Sequence, residues 1–307
     1  MPLVTPARRS RIRRRVLAWY AARGRPLAFR RTTDPWLVLV SEVMAQQTQA
    51  ARAADAWERF TARWPTPGAL AEAATADVLR EWRGLGYNRR AVALQRAARA
   101  IVAEHGGRVP DDLRALGRLP GIGPYSARAV AALAFGRRVG AVDTNVRRVL
   151  GRAFFGTRTP HAAALQVLAD ALVPARQPGV WTHALMDVGA TVCRIREPRC
   201  AACPLQSWCV YTRLTPPAFD VIERSRVVGP PAARFEATSR WLRGRLLDRL
   251  REAGEARWVT VTGPIGQHDT AAIAVALDAM ARDGLVELGA EPATARLPVG
   301  EVATLRA

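Results

Sequence analysis

The stretch LPGIGPYSARAVAAL, from Leu119 to Leu133, decides the fold more than any other part of the chain. It places Gly121 and Gly123 one residue apart, between stretches whose apolar residues recur at helical spacing. Glycine permits a tight turn there and leaves backbone N–H groups bare at the start of the next helix, which suits a phosphate. The stretch therefore predicts either a phosphate-binding helical hairpin or an ordinary connection between two helices.

The sequence around this stretch reads as a succession of helices from Ser10 to about Pro178. Apolar residues recur there at spacings of three and four, and no strand-like alternation interrupts them. Breaks fall at Pro65–Gly68, Gly84–Gly86, Gly106–Pro110 and Gly121–Pro124. The pattern predicts an all-α fold for this part of the chain.

A single aspartate stands about twenty residues beyond the hairpin, in the segment AVDTNVRRVL. Asp143 precedes a helical run, and aspartate is a good residue for capping a helix N-terminus. A capping carboxylate can also act in chemistry, so both roles are open for Asp143.

All four cysteines of the chain lie in one short segment, CRIREPRCAACPLQSWC. Cys193, Cys200, Cys203 and Cys209 are spaced C-x6-C-x2-C-x5-C. In a reducing compartment such a group more often holds metal than disulfides, and four thiolates suit either zinc or a [4Fe–4S] cube. Ligand chemistry alone does not choose between them, although only Cys200 and Cys203 form the short knuckle that zinc sites usually use twice.

The charge of the chain points to a polyanionic partner. Its 307 residues carry 46 basic and 26 acidic side chains, a formal net charge of +20, and every basic residue is arginine because lysine is absent. Such a charge favours nucleic-acid binding. The longest apolar runs fall far short of the ~20 residues of a membrane helix. We expect a cytoplasmic, nucleoid-associated protein without membrane contact.

The last third of the chain predicts a linker and a second, smaller domain. Proline-rich sequence marks residues 214–233 as a linker. Residues 234–307 then show helix Ser239–Ala253, a short strand in Arg257–Thr262 and helix Thr270–Arg282. The segment from Gly284 to Leu288 and a final extended piece complete the order of a small α+β winged-helix-like domain.

The hairpin, the Ala141-Val142-Asp143 segment and the four cysteines together resemble the helix-hairpin-helix DNA glycosylases of the endonuclease III superfamily. The resemblance covers most of residues 30–210. It implies a six-helix barrel with the hairpin over residues 31–140, and a discontinuous iron–sulfur domain over residues 1–30 and 141–213. It also implies a [4Fe–4S] cluster on the four cysteines, with a structural role.

The segment PWLVLVSEVMAQQTQ, from Pro35 to Gln49, indicates the branch of this superfamily. It closely resembles the SEVM-x-QQTQ helix of the A/G-specific adenine glycosylases, with Glu42 at the position of the general acid. A carboxylate among apolar neighbours is costly unless it has a task. By this resemblance Glu42 protonates the departing purine, Asp143 stabilises the oxocarbenium-like sugar, Tyr125 supports both, and Asn145 supports Asp143.

The absence of lysine predicts a monofunctional enzyme. Bifunctional members of the superfamily attack the sugar with a lysine amine, and this chain has Tyr125 at that position. No side chain here can form a Schiff base, so only the N-terminal amine is left for lyase chemistry.

Chemistry on a base within a duplex requires base flipping, and the vacated space must be filled. By the same resemblance, the residues that contact DNA come from three segments, and Arg90 is expected to hold phosphate beside them. They are Gln46, Gln47, Thr48, Leu85, Tyr87, Arg89, Gly121, Gly123 and Ser126. The partner is duplex DNA with a mismatched or damaged base pair, and the protein is expected to be monomeric.

The sequence departs from the adenine glycosylase pattern at three positions and in its tail. Ala45 replaces a leucine, Phe29 a tryptophan and Asn88 a second tyrosine. About 75 residues follow the linker, too few for the Nudix-like domain that reads 8-oxoguanine in full-length members. The opposite base therefore stays open. The alternatives are a thymine/uracil glycosylase for G mismatches, which can share Tyr125, and a non-catalytic damage-binding or winged-helix regulatory protein.

Overall fold

The computed structural model describes residues 4–214, 234–254 and 257–299. The chain groups into two compact units. The first takes in Met1–Glu42, Asp111–Arg118 and Ile122–Val228, and the second Val43–Pro110, Leu119–Gly121 and Gly229–Ala307. The predicted domain bounds stay predictions, and the predicted linker lies outside the described residues from position 215 onward.

Helices account for nearly all regular structure of the first unit. They are α1 (Pro6–Arg23), most of α2 (Pro35–Ala45), α7 (Leu113–Arg118), α8 (Pro124–Leu133), α9 (Thr144–Leu150), α10 (Ala162–Leu172) and α11 (Pro178–Asp187). Local signals start several of them. Asp34 Oδ1 accepts a hydrogen bond from Leu37 N at the start of α2, and proline occupies the first turn of α1, α8 and α11.

The core of the first unit lies among α1, α9, α10 and α11. Helix α1 is strongly basic and buries only Ile12 and Val16, which are one turn apart and fully covered. Trp181 of α11 and Leu168 of α10 fill the same core. The arginine-rich remainder of α1 therefore stays at the surface.

Four more helices form the body of the second unit: α3 (Ala50–Arg63), α4 (Pro67–Glu72), α5 (Thr75–Glu81) and α6 (Arg89–His105). Phe60 packs edge-on against Trp64 and Trp82. Gln95 is buried within this unit, and its amide donates to Ala73 O at 2.6 Å, so the buried polar group is satisfied.

The C-terminal part of the second unit follows the predicted order. It contains α12 (Ser239–Glu252), β1 (Val259–Thr260), α13 (Thr270–Arg282), β2 (Glu287–Leu288) and β3 (Thr294–Arg296). The strands form an antiparallel sheet in the order β1-β3-β2, with Ala295 opposite both Val259 and Leu288. The predicted all-α fold with a small C-terminal α+β part is confirmed.

The C-terminal part packs on α5 and on the turn before α6, within the second unit. Arg251 of α12 donates to Leu79 O at 2.7 Å and to Asn88 Oδ1 at 3.0 Å. Backbone joins the two parts as well, since Ala76 N donates to Pro298 O at 3.1 Å. Among the described residues, no helix is long and apolar enough to cross a membrane.

Candidate active site

Glu42 lies in the last turns of α2 and is buried, with 7% of its surface exposed. Its Oε2 accepts a hydrogen bond from the Tyr125 hydroxyl at 3.0 Å. Burial raises the pKa of Glu42 from 4.5 to about 7; the Tyr125 hydrogen bond opposes this rise, and the charge of Asp143 adds to it. At neutral pH the carboxyl is therefore poised to give up or take a proton.

Tyr125 lies in the first turn of α8, directly after the hairpin turn, and this position brings its hydroxyl to Glu42. Burial raises the pKa of Tyr125 well above 10, and the neighbouring Glu42 carboxylate adds to this effect. The phenol therefore keeps its proton and acts as a hydrogen-bond donor.

Asp143 is the N-cap of α9, as the sequence predicted. Its Oδ1 accepts from Val146 N at 2.6 Å, and its Oδ2 accepts from Asn145 Nδ2 at 2.9 Å. The two donors fix the plane of the carboxylate, and capping coexists with a position close enough to Glu42 to influence its pKa.

Arg148 extends this support to the cysteine segment, and sequence reasoning missed it. Its Nη2 donates to Asn145 Oδ1 at 2.8 Å and its Nε donates to Cys193 O at 2.6 Å. The backbone at Gly189 lies close against Asn145. A Cβ added at Gly189 would lie 2.5 Å from the Asn145 Cβ, so glycine is needed there. The spacing of three residues between Asn145 and Arg148 on one helix was the available signal.

A second missed group surrounds Asp187, whose side chain is fully buried. Arg30 holds both carboxylate oxygens at 2.7 Å, and Arg25 adds a bond at 2.7 Å. Burial alone would raise the pKa of Asp187, but the hydrogen bonds from Arg30 and Arg25 outweigh it and lower the pKa. Arg30 in turn opposes the upward shift of the Glu42 pKa.

The four cysteines line one cavity of the first unit, together with Arg152 and Tyr211. All four are free thiols, and Arg152 Nη1 lies 3.7 Å from Cys193 Sγ. Among the described residues, no group of three or more His, Cys, Asp or Glu side chains is arranged to hold a metal ion.

Two turns of the second unit carry residues expected to contact DNA. Gln47 follows α2 with φ 55°, and Tyr87 precedes α6 with φ 45°. The left-handed region is uncommon for residues other than glycine, and such strain is concentrated at functional sites. Thr48 Oγ1 donates to Leu85 O at 3.2 Å and so ties the two turns together.

The side chain of Arg90 also connects these two turns. Its Nη1 donates to Val43 O at 2.7 Å, and its Nη2 donates to Thr48 Oγ1 and Leu85 O at 3.0 Å each. Burial lowers the pKa of Arg90 to about 10, which leaves it charged at neutral pH. We expected Arg90 to hold phosphate, and this role stays a prediction because its Nη groups already donate to carbonyl oxygens and to the Thr48 hydroxyl. Neighbouring Arg89 keeps 70% of its side chain exposed.

The hairpin residues divide between exposed and buried positions. Gly121, in the second unit, has φ 76°, and an added Cβ would lie 2.7 Å from the Ala93 Cβ, so only glycine fits. Gly123 is exposed and is the N-cap of α8, which has no side-chain cap. Ser126 of the hairpin is buried, with 2% exposure, and so is Leu85 of the turn before α6, with 5%. The roles of both residues at DNA stay predictions.

The departures from the family pattern have partly visible consequences. Asn88 accepts a hydrogen bond from Arg251 of α12, a contact for which the short amide side chain leaves room. Phe29 is buried and Ala45 is partly covered. Nothing in the structure explains why these two residues replace the family's larger ones.

The chain matches known proteins over most of its length. Residues 40–174 match the protein family HhH-GPD superfamily base excision DNA repair protein. The adenine DNA glycosylase of Mycobacterium tuberculosis (strain CDC 1551 / Oshkosh) is 44% identical over 280 residues, which cover 86% of this chain and 88% of that protein. The adenine DNA glycosylase of Mycolicibacterium smegmatis is 41% identical over 289 residues, 93% of this chain and 96% of that protein.

Solved structures share the fold. A thermostable thymine-DNA glycosylase superposes with a TM-score of 0.63 at 30% identity, covering 67% of this chain and 96% of that one. An endonuclease III in a non-covalent DNA complex gives a TM-score of 0.57 at 23% identity and covers 67% and 96%, which shows the fold alone. The resemblance read from the hairpin, Asp143 and the cysteines is confirmed, and the chain belongs to the adenine DNA glycosylase family of the helix-hairpin-helix superfamily.

Proposed function

We propose that this DNA glycosylase of base excision repair removes adenine paired with 8-oxoguanine or guanine and leaves an intact abasic site. The observation that carries the proposal is the pair formed by Glu42 and Asp143. Glu42 has its pKa raised to about 7, while Asp143 is held as a helix cap within its electrostatic reach.

The two carboxyl groups divide the chemistry. Cleavage of the N-glycosidic bond puts positive charge on the deoxyribose and electron density on the base. Glu42 donates its proton to the departing purine, and its carboxylate then accepts a proton from the attacking water, whose hydroxyl bonds to the sugar. Asp143 opposes the positive charge in the transition state, and Tyr125 holds Glu42 in place.

The product follows from the residue at position 125. A phenol cannot form an imine, and the chain has no lysine. Strand scission by β-elimination through a side-chain imine is therefore not available, so the proposed product is the intact abasic site.

Cys193, Cys200, Cys203 and Cys209 would hold a [4Fe–4S] cluster. Four free thiols on one cavity fit it in donor chemistry. When bound, the cluster would cross-link the loop that carries Arg194, Arg196 and Arg199, and these would meet DNA phosphates already ordered.

Thymine or uracil excision is the second candidate. The thymine/uracil-DNA glycosylase of Methanothermobacter thermautotrophicus is 30% identical over 200 residues, but the match covers only 64% of this chain. The match to the mycobacterial adenine glycosylases covers 86% and 93% of the chain. That longer match favours adenine as the substrate.

The deciding experiment is single-turnover excision from duplexes with A, T, U or hypoxanthine opposite 8-oxoguanine, G or C. We expect adenine to be released fastest, and Glu42→Gln to abolish its release. Faster release of thymine or uracil opposite G would replace the proposal with the second candidate. Binding without release of any base would favour the damage-binding alternative.

Action on duplex DNA would place the protein at the nucleoid, and we propose that it works as a monomer.

A further inference from the structure

Five side chains of the second unit form a column of alternating aromatic rings and guanidinium groups. Arg90 lies between Trp82 and Tyr87, with its Cζ 5.2 Å and 5.9 Å from their ring centroids. Arg240 of α12 covers Tyr87 at 4.4 Å and lies 5.6 Å from the Phe235 ring. The column begins in the core at Trp82 and ends at Phe235, which is 58% exposed.

The column holds Tyr87 in its strained backbone conformation. Arginine stacks on aromatic faces through cation–π attraction, and Arg240 Nη1 also donates to the Tyr87 hydroxyl at 2.9 Å. Tyr87 nevertheless keeps 39% of its surface exposed at φ 45°. Strained residues are concentrated at functional sites, and Tyr87 is both strained and partly exposed.

A groove of about 380 Å³ opens beside the column, between the 86–89 turn and α12. This size lies within the roughly 300–1,000 Å³ of pockets that take a small-molecule ligand. Its charged and aromatic lining residues are Tyr87, Arg89, Phe235, Arg240, Trp241, Arg243 and Arg245. None of the lining residues that the structure describes is acidic.

The arginines of the groove are only partly neutralised. Arg243 and Arg89 share the single carboxylate of Asp283, and Arg245 pairs with Asp248. Arg240 has no carboxylate partner among the described residues. The groove therefore keeps a positive charge beside exposed aromatic surface, which suits a phosphate next to a base.

The usual reading helix of a winged-helix domain does not offer such a surface. The outer face of α13 shows Ala271, Ala274, Val275 and Asp278, and its one arginine lies at its end. A helix that reads a DNA groove needs side chains that donate to bases and phosphates.

We propose that this groove binds one nucleotide of the duplex during excision, with its base against Phe235 and the exposed edge of Tyr87 and its phosphate on Arg240. The inference rests on the proposed function, because it requires duplex DNA as the substrate. It gives the C-terminal part of the chain a direct role in DNA binding.

The test compares Arg240→Ala and Phe235→Ala with the wild type by anisotropy titration of a duplex at several salt concentrations. Phe235→Ala should weaken binding roughly 10- to 100-fold, because it removes the ring on which one base stacks. Arg240→Ala should also reduce the slope of log affinity against log salt by about 0.9. Arg240→Lys should restore the slope, because lysine keeps the positive charge at this position. Arg249→Ala, at an exposed position of α12 away from the groove, is the charge-matched control.

Wild-type affinity and slope in both groove variants would overturn the proposal, and so would an equal loss in Arg249→Ala. Because Phe235 is exposed, its variant tests the groove even if the Arg240 variants fold poorly. A duplex with 5-iodouracil should also cross-link to the peptide that carries Phe235 or Tyr87. Excision is followed separately at saturating enzyme, so a chain that binds as expected but releases no base refutes the proposed function and leaves the groove intact.

Discussion

Replacing Glu42 by glutamine should remove activity and, at alkaline pH, stabilise the protein. The folded protein raises the pKa of this carboxyl from 4.5 to about 7, chiefly through burial. A group with a raised pKa binds its proton more tightly in the folded state than in the unfolded state. Its contribution is therefore fully favourable below pH 4.5 and is lost as the pH rises through 7.

The size of the effect follows from the shift. One pKa unit corresponds to about 1.4 kcal/mol, so the ionised carboxylate costs about 3 kcal/mol of unfolding free energy at pH 8. Most of this cost develops between pH 5 and pH 8. Glutamine keeps the shape and stays neutral, so the variant should be more stable than the wild type at pH 8, and the two should converge near pH 4.5.

Urea unfolding of both proteins across pH 5 to 8 measures this difference. Glu58→Gln, at an exposed position of α3, is the matched control and should leave the unfolding free energy unchanged at every pH. Equal stability of Glu42→Gln and wild type at pH 8 would refute the reasoning, because it would mean that the ionised carboxylate is solvated or paired.

The wild-type rate of base release should fall above pH 7, as the acid loses its proton.

Four further outcomes follow from the same structure. Asp143→Asn should slow single-turnover excision roughly 10²- to 10³-fold, with duplex affinity nearly unchanged in a binding titration; a matching loss of affinity would contradict a role in the transition state. Borohydride added during the reaction should trap no covalent adduct, and a good yield of adduct would disprove the monofunctional assignment. Gly121→Ala should lower the unfolding free energy by about 1–3 kcal/mol, because its Cβ would lie 2.7 Å from Ala93, while Gly117→Ala, which meets nothing within 4 Å, should not. The purified protein should contain about four irons per chain and Cys203→Ser fewer; stoichiometric zinc would refute the cluster.

The residues that sequence predicted best have a role that local pattern reveals. Asp143 stands before a helical run, and the structure shows it capping α9. Glu42 interrupts an apolar stretch, and the structure buries it. The helices and the order of elements in the C-terminal part were predictable for the same reason, because periodicity and caps are local signals.

Two of the groups that sequence missed act across long separations. Asp187 binds Arg25 and Arg30 more than 150 positions away, and Arg240 lies 153 positions from Tyr87. No spacing rule connects such pairs before the fold is known. Arg90 shows the same limit, since it was expected at phosphate together with Arg89, whereas its Nη groups donate to Val43 O of α2 and to Leu85 O.

The departure at Asn88 and the column on Tyr87 occur where the C-terminal part packs. Asn88 accepts from Arg251 of α12, and one position earlier Tyr87 lies under Arg240 of the same helix. A second tyrosine at position 88 would have to displace the Arg251 contact, since its side chain is larger and its hydroxyl extends beyond the position of the amide. The asparagine thus fits a turn that is buttressed by α12. In this arrangement α12 contacts both positions of the turn and sets the position of Tyr87.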